Sequence, residues 1–119
     1  MSDLSPLLQA FFTDRLMTQR QASPNTIAAY RDTFRLLLAY TAQQTGTAPS
    51  RLTIEDLDAT RISGFLSYLE TERGNSTRSR NARLAAIHSL FSYAALRHPE
   101  HALIIQRVLA IPCARHKRN

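Results

Sequence analysis

Four arginines crowd residues 73–83 (Arg73, Arg78, Arg80 and Arg83), and no acid interrupts them. Guanidinium groups offer planar forks of N–H donors that match phosphate oxygens and guanine edges, so this cluster suits holding a polyanion rather than breaking a bond. Three of the four fall in the opening turns of a predicted helix, where the macrodipole is already positive and cations cost stability. Such a broken local rule marks a candidate site, because helix N-terminal amides beside arginines can take a phosphate. The competing interpretation is an ordinary solvated face. Arg31 and Arg35 stand four apart on another predicted helix, a like-charge pair that an anion or a neighbouring acid such as Asp32 would relieve. Thr26, beside the start of that helix, can cap it or touch phosphate, and capping is the simpler role. Arg115, Lys117 and Arg118, with His116 among them, form a third basic group, either an arm that follows a phosphate backbone or a plain basic terminus.

Other chemistry finds little support. His98 and His101 lie three apart without further ligands nearby, so no metal is expected. Tyr30, Tyr40, Tyr68 and Tyr93 sit at helical spacing beside apolar residues, which suits packing better than nucleophilic attack. There is no Gly-rich phosphate loop, no nucleophile elbow and no close Ser/His/Asp set, and no cofactor is implied. Cys113 is the single cysteine, so disulfides play no part.

The bulk properties agree with a binding role. The 119 residues fit one domain able to bury a core, and 44% hydrophobic with 20% charged residues indicates an ordered chain. A net charge of +6 and a pI near 10.4 favour a polyanionic partner, nucleic acid first. Fourteen of the fifteen basic residues are arginine, which suits phosphate recognition but would also follow from an Arg-rich genome. No apolar run reaches the ~18 residues of a membrane span and no signal-peptide pattern opens the chain, so a cytoplasmic location without membrane contact is expected.

These residues must be positioned by helices, since apolar residues recur at three- and four-residue spacings and nowhere alternate with strand period. A first helix is expected over residues 5–20, with Ser5 as N-cap and Leu8, Phe11, Phe12 and Leu16 inward. A second runs from Pro24 or Thr26 to Thr45, with Ile27, Tyr30, Phe34, Leu37 and Leu38 inward and Gly46 as its stop. One short turn at Thr53-Ile-Glu-Asp-Leu precedes a third helix capped by Asp58, carrying Ile62, Phe65, Leu66 and Leu69 and ending near Gly74. A fourth opens at Asn75-Ser76-Thr77 and continues to Arg97, with Leu84, Ile87, Leu90, Phe91 and Ala94 inward. Its opposite side holds Arg78, Ala82, Ala85, Ser89 and Ser92, small enough for close approach of another surface. A short fifth helix over residues 99–109 presents Leu103, Ile104, Ile105 and Val108, of which the first three could form an exposed patch. The expected fold is an all-α compact bundle of four to five helices.

Three segments in order, Ser23-Pro-Asn-Thr-Ile-Ala-Ala-Tyr-Arg-Asp-Thr-Phe-Arg, Thr53-Ile-Glu-Asp-Leu, and Thr77-Arg-Ser-Arg-Asn-Ala-Arg-Leu-Ala-Ala-Ile-His-Ser-Leu-Phe-Ser-Tyr, resemble the SAM-like core-binding domain of tyrosine recombinases, the phage-integrase family. The resemblance covers nearly the whole chain, through Ile111-Pro112. It implies a core-binding domain over residues 1–112, the start of a basic interdomain linker over 113–119, and one half of a clamp on a double-stranded recombination site. It implies DNA contacts from the second and fourth helices, at Thr26, Arg31, Arg35, Arg78, Arg80, Asn81, Arg83 and His88, although His88 stands where the family often has arginine. The other partners it implies are a catalytic domain and neighbouring protomers on DNA. The family's catalytic arginine, lysine, His-x-x-Arg pair and tyrosine follow this domain, and no His-x-x-Arg occurs here. The chain is therefore expected to hold DNA in integration or recombination without cutting it. A helical transcription regulator and a protein-interaction domain are the alternatives; the long, loop-separated helices disfavour the first, and a steep salt dependence would separate DNA binding from the second.

Overall fold

The computed structural model describes residues 3–115, and Lys117 and Arg118 of the expected basic arm lie outside them. Five α-helices form the bundle: α1 (Leu4–Ala10), α2 (Pro24–Thr45), α3 (Ala59–Thr71), α4 (Thr77–Arg97) and α5 (Ala102–Leu109). Single 3-10 turns at Pro49–Arg51, Ile54–Leu57 and Pro99–His101 join them, and no strand occurs among the described residues.

The first helix departs from expectation twice. It begins at Leu4, with Asp3 rather than Ser5 at the cap position, and Asp3 makes no capping bond. Its carboxylate is used elsewhere: Oδ1 accepts the Ile54 amide at 3.0 Å and Oδ2 accepts His101 Nε2–H at 3.0 Å. From Phe11 to Gln19 the helix widens into π geometry. The buried residues explain why. Leu7 and Phe11 are four apart, but Phe11 and Leu16 are five apart and both are fully buried, a spacing that i→i+5 bonding keeps on one face. Leu4 and Leu7 go inward, while the expected Leu8 is only partly covered.

The same closing device ends this segment and α3. After Leu16 the chain turns through Gln21 at φ 48°, and the Ala22 amide returns to the Leu16 carbonyl at 2.8 Å. After Leu69 it turns through Gly74 at φ 65°, and the Asn75 amide returns to the Leu69 carbonyl at 2.9 Å. Left-handed backbone costs a β-carbon about 1–2 kcal/mol, so Gly74→Ala should lower stability by about 1 kcal/mol. Gln21→Gly should instead leave stability unchanged or raise it by a few tenths. Urea unfolding of both variants checks the opposite signs.

The other boundaries follow their local chemistry. Ser23, Asp58 and Ser76 accept the amides of Thr26, Arg61 and Ser79 and so cap α2, α3 and α4. Gly46, at φ 70°, ends α2. α3 packs against α4, and Ile62, Phe65, Leu66 and Leu69 of the first and Leu84, Ile87, Leu90, Phe91 and Ala94 of the second are buried in the shared core. Two threonines of α2 join this interior without cost, because Thr33 and Thr41 donate to the Ala29 and Leu37 carbonyls one turn back. On α5 Ile105 and Val108 are buried and Leu109 is partly buried against the core, so the expected Leu103–Ile105 patch reduces to Leu103, 60% exposed, beside a half-covered Ile104.

Candidate nucleic-acid interface

The first half of α4 lies beside α2, and between them runs an open groove of about 360 Å³ lined by Ala29, Tyr30, Asp32, Thr33, Ser79, Ala82 and Arg83. The small residues of α4 produce it, since Ser79 and Ala82 leave the space a longer side chain would fill. Tyr30 Oη and Ser89 Oγ, 3.5 Å apart, bring the same two helices together further along.

Charge along the groove is organised by one acid. Asp32 receives Arg35 on Oδ1 at 2.6 Å and Arg83 on Oδ2 at 2.9 Å, while Arg83 also donates to Thr33 Oγ1 at 2.9 Å. The Arg35 hydrogen bond holds the Asp32 carboxyl below its ordinary pKa; slight desolvation opposes this and Arg83 adds to it. Arg31 is exposed and its guanidinium lies 6.0 Å from the Phe12 ring centroid, while Arg35 keeps most of its side chain in solvent.

At the start of α4 the expected arginines divide. Arg80 pairs with Glu70 of α3 at 2.9 Å and is largely covered, and Arg83 pairs with Asp32. These acids offset the dipole penalty that the sequence left unexplained. Arg78 is exposed, and its side chain makes no hydrogen bond or ion pair among the described residues. Asn81 exchanges two bonds with the backbone of Ala114, both at 2.9 Å. His88 donates from Nε2 to the Val108 carbonyl at 3.0 Å. Thr26 bonds to the Ser23 hydroxyl and does not itself cap α2. Arg115 is exposed just beyond the Asn81 contact.

The structure thus leaves Thr26, Arg31, Arg35, Arg78 and Arg115 open to solvent and engages Arg80, Asn81, Arg83 and His88 within the fold. Asp32 and Thr33 are the groove residues that basic-cluster reasoning underused. Among the described residues no group of three or more His, Cys, Asp or Glu could hold a metal, and no helix is long and apolar enough to cross a membrane.

Five helices around one core, with two arginine-bearing helices flanking one groove, define an all-helical domain of the SAM-like class. Residues 9–98 match the family described as phage integrase, N-terminal SAM-like domain, and the chain belongs to that family of tyrosine-recombinase domains. It is 56% identical over 118 residues to a Sinorhizobium fredii protein named as an integrase/recombinase, y4rC, covering 99% of this chain and 36% of the relative. A second from that organism, y4rD, is 45% identical over 112 residues, covering 94% and 40%. Tyrosine recombinase XerC of Pelobacter propionicus is 33% identical over 92 residues, covering 76% and 29%. The chain therefore spans well under half the length of these relatives. No solved structure matches significantly.

Proposed function

We propose that this chain is the DNA-binding, core-binding domain of a site-specific tyrosine recombinase or integrase, one half of a clamp on a double-stranded recombination site. The observation that carries this is the pairing of two arginine-bearing helices across one groove, in a family whose relatives are named integrases and recombinases. Residues 1–112 form the domain, and 113–119 begin a basic linker to a catalytic domain that performs the strand chemistry. Neighbouring protomers assemble with it on DNA in the cytoplasm. Arg31, Arg35, Arg78 and Arg115 supply phosphate contacts, with Thr26 at the margin and Lys117 and Arg118 extending them along the backbone. Arg80, Arg83 and His88 act from behind this surface by fixing α4 against α3, α2 and α5.

The test is fluorescence anisotropy of the 119-residue chain with a duplex across a salt series. Arg31 and Arg78 are the informative pair, because both are exposed and neither has an ion-pair partner among the described residues. The double change to alanine should weaken binding and flatten the log K against log salt slope by up to about two units, since each lost phosphate contact releases roughly 0.9 fewer counterions. Arg83→Ala would confound the measurement by breaking its bonds to Asp32 and Thr33. An unchanged slope in a folded double variant would refute the assigned surface.

A further inference from the structure

We infer that Asn81 is a positioning residue that clasps the backbone at Ala114 and directs Arg115 toward the DNA-facing start of α4, rather than contacting DNA itself. The steering half of this inference rests on the proposed DNA-binding role; the clasp does not.

The α5 helix ends beside His88, whose Nε2–H donates to the Val108 carbonyl. Asn81 lies seven residues earlier on α4, two turns and about 10 Å along the same face. Five residues lie between Val108 and Ala114, enough chain to cover that distance with slack. Residues 109–114 thus run back along α4 between two polar fastenings. Asn81 Nδ2 donates to the Ala114 carbonyl and its Oδ1 accepts the Ala114 amide, both at 2.9 Å. A primary amide carries one donor edge and one acceptor edge, so it copies the exchange of two bonds between paired strand residues.

Two neighbours give this contact direction and weight. Oδ1 also accepts Arg80 Nη1 at 3.1 Å, and Arg80 is itself held by Glu70. That arrangement fixes which edge of the amide faces the Ala114 carbonyl. Among the described residues these two bonds are the only hydrogen bonds of residues 112–115. Without them nothing polar selects where the chain leaves the bundle. Asn81 is also three residues from Arg78, so the clasp brings Arg115 toward the helical turn that carries the exposed Arg78.

The experiment compares the 119-residue chain with Asn81→Leu, Asn81→Asp and Ala114→Pro, and with the Asn81→Leu/Ala114→Pro double variant. Amide hydrogen exchange at residue 114, read by NMR without DNA, tests the clasp. Wild-type protection should fall by on the order of tenfold in Asn81→Leu, which removes the acceptor of the Ala114 amide, and by less in Asn81→Asp, which keeps an acceptor and loses only the donor to the Ala114 carbonyl. An unprotected wild-type amide, or protection unchanged in Asn81→Leu, overturns the clasp. Binding to a duplex across salt tests the steering. Ala114→Pro leaves the Asn81 side chain intact, yet it should weaken binding and flatten the salt slope as Asn81→Leu does, and the double variant should be no worse than either. If only the Asn81 variants weaken binding, Asn81 touches DNA directly and the inference fails. If the wild-type chain binds no duplex, steering fails together with the DNA-binding role while the exchange result stands by itself. Residue 114 lies outside the helices, so unchanged far-ultraviolet circular dichroism keeps these outcomes separate from unfolding.

Discussion

Phe11→Ala is expected to destabilise the domain by about 3–5 kcal/mol and to lower its melting temperature by roughly 10–20 °C. Phe11 is wholly buried where α1 passes into the π segment, and its ring meets four others. Tyr30 stacks nearly parallel at 6.3 Å, Phe34 stands edge-on at 6.1 Å, and Tyr93 and Phe12 lie at 5.8 and 5.7 Å. Truncation removes apolar area, leaves a cavity, and forfeits aromatic contacts between α1, α2 and α4 in one step. Phe12→Ala should cost distinctly less, because that ring is only partly covered. Denaturant unfolding distinguishes the two; equal small losses would mean that the π segment does not hold Phe11 against the core.

Asp32→Asn is expected to strengthen DNA binding on the order of tenfold near 0.1 M salt and to steepen the salt slope by about one unit. The carboxylate places a negative charge on the proposed surface and occupies both Arg35 and Arg83. An amide removes the repulsion and leaves both guanidinium groups free to turn to phosphate. Stability should change little, because a half-exposed ion pair of this kind contributes about 0–1 kcal/mol. The folded-state pKa of Asp32 is lowered, so the pair's contribution is complete above the unfolded-state value near 3.8 and fades only as pH falls below it. Asp32 should therefore contribute no change in wild-type DNA affinity between pH 5 and 7. Weaker binding by Asp32→Asn would show instead that Asp32 serves the interface by aiming its arginines.

Most of the scaffold was legible from residue type and spacing. Pro24 after Ser23, Gly46, Asp58 and Ser76 act locally, so α2, α3 and α4 begin and end where side-chain capping and left-handed backbone require. The inward stripes of α3 and α4 follow from one periodicity, whereas on α2 Phe34 and Leu37 are buried, Tyr30 and Leu38 are partly buried, and Ile27 is half-covered outside the core. The π segment was hidden because a five-residue step between Phe11 and Leu16 has meaning only once both are known to be buried. Inward Thr33 and Thr41 were hidden for a related reason: their hydroxyls are satisfied one turn back, so their polarity does not report exposure. The basic residues of α4 were legible as a cluster but not in their division of labour. The partners of Asn81 and His88 are backbone atoms 33 and 20 residues away, and any residue type could supply them. The Arg80 and Arg83 partners, Glu70 and Asp32, become neighbours only when α3 and α2 pack against α4.

The Asp3 carboxylate joins the start of the chain to Ile54 and, across 98 residues, to His101. On a ribosome adding about 5–20 residues per second, the partner at 101 is made roughly 5–20 s after Asp3. During that interval the nascent first helix cannot make its last polar tie, and Phe11 lacks the Tyr93 ring. The apolar face of Leu4, Leu7 and Phe11 is synthesised ahead of the partners that enclose it and is among the last to be fully covered. It is the stretch that a nascent-chain chaperone would have reason to shield.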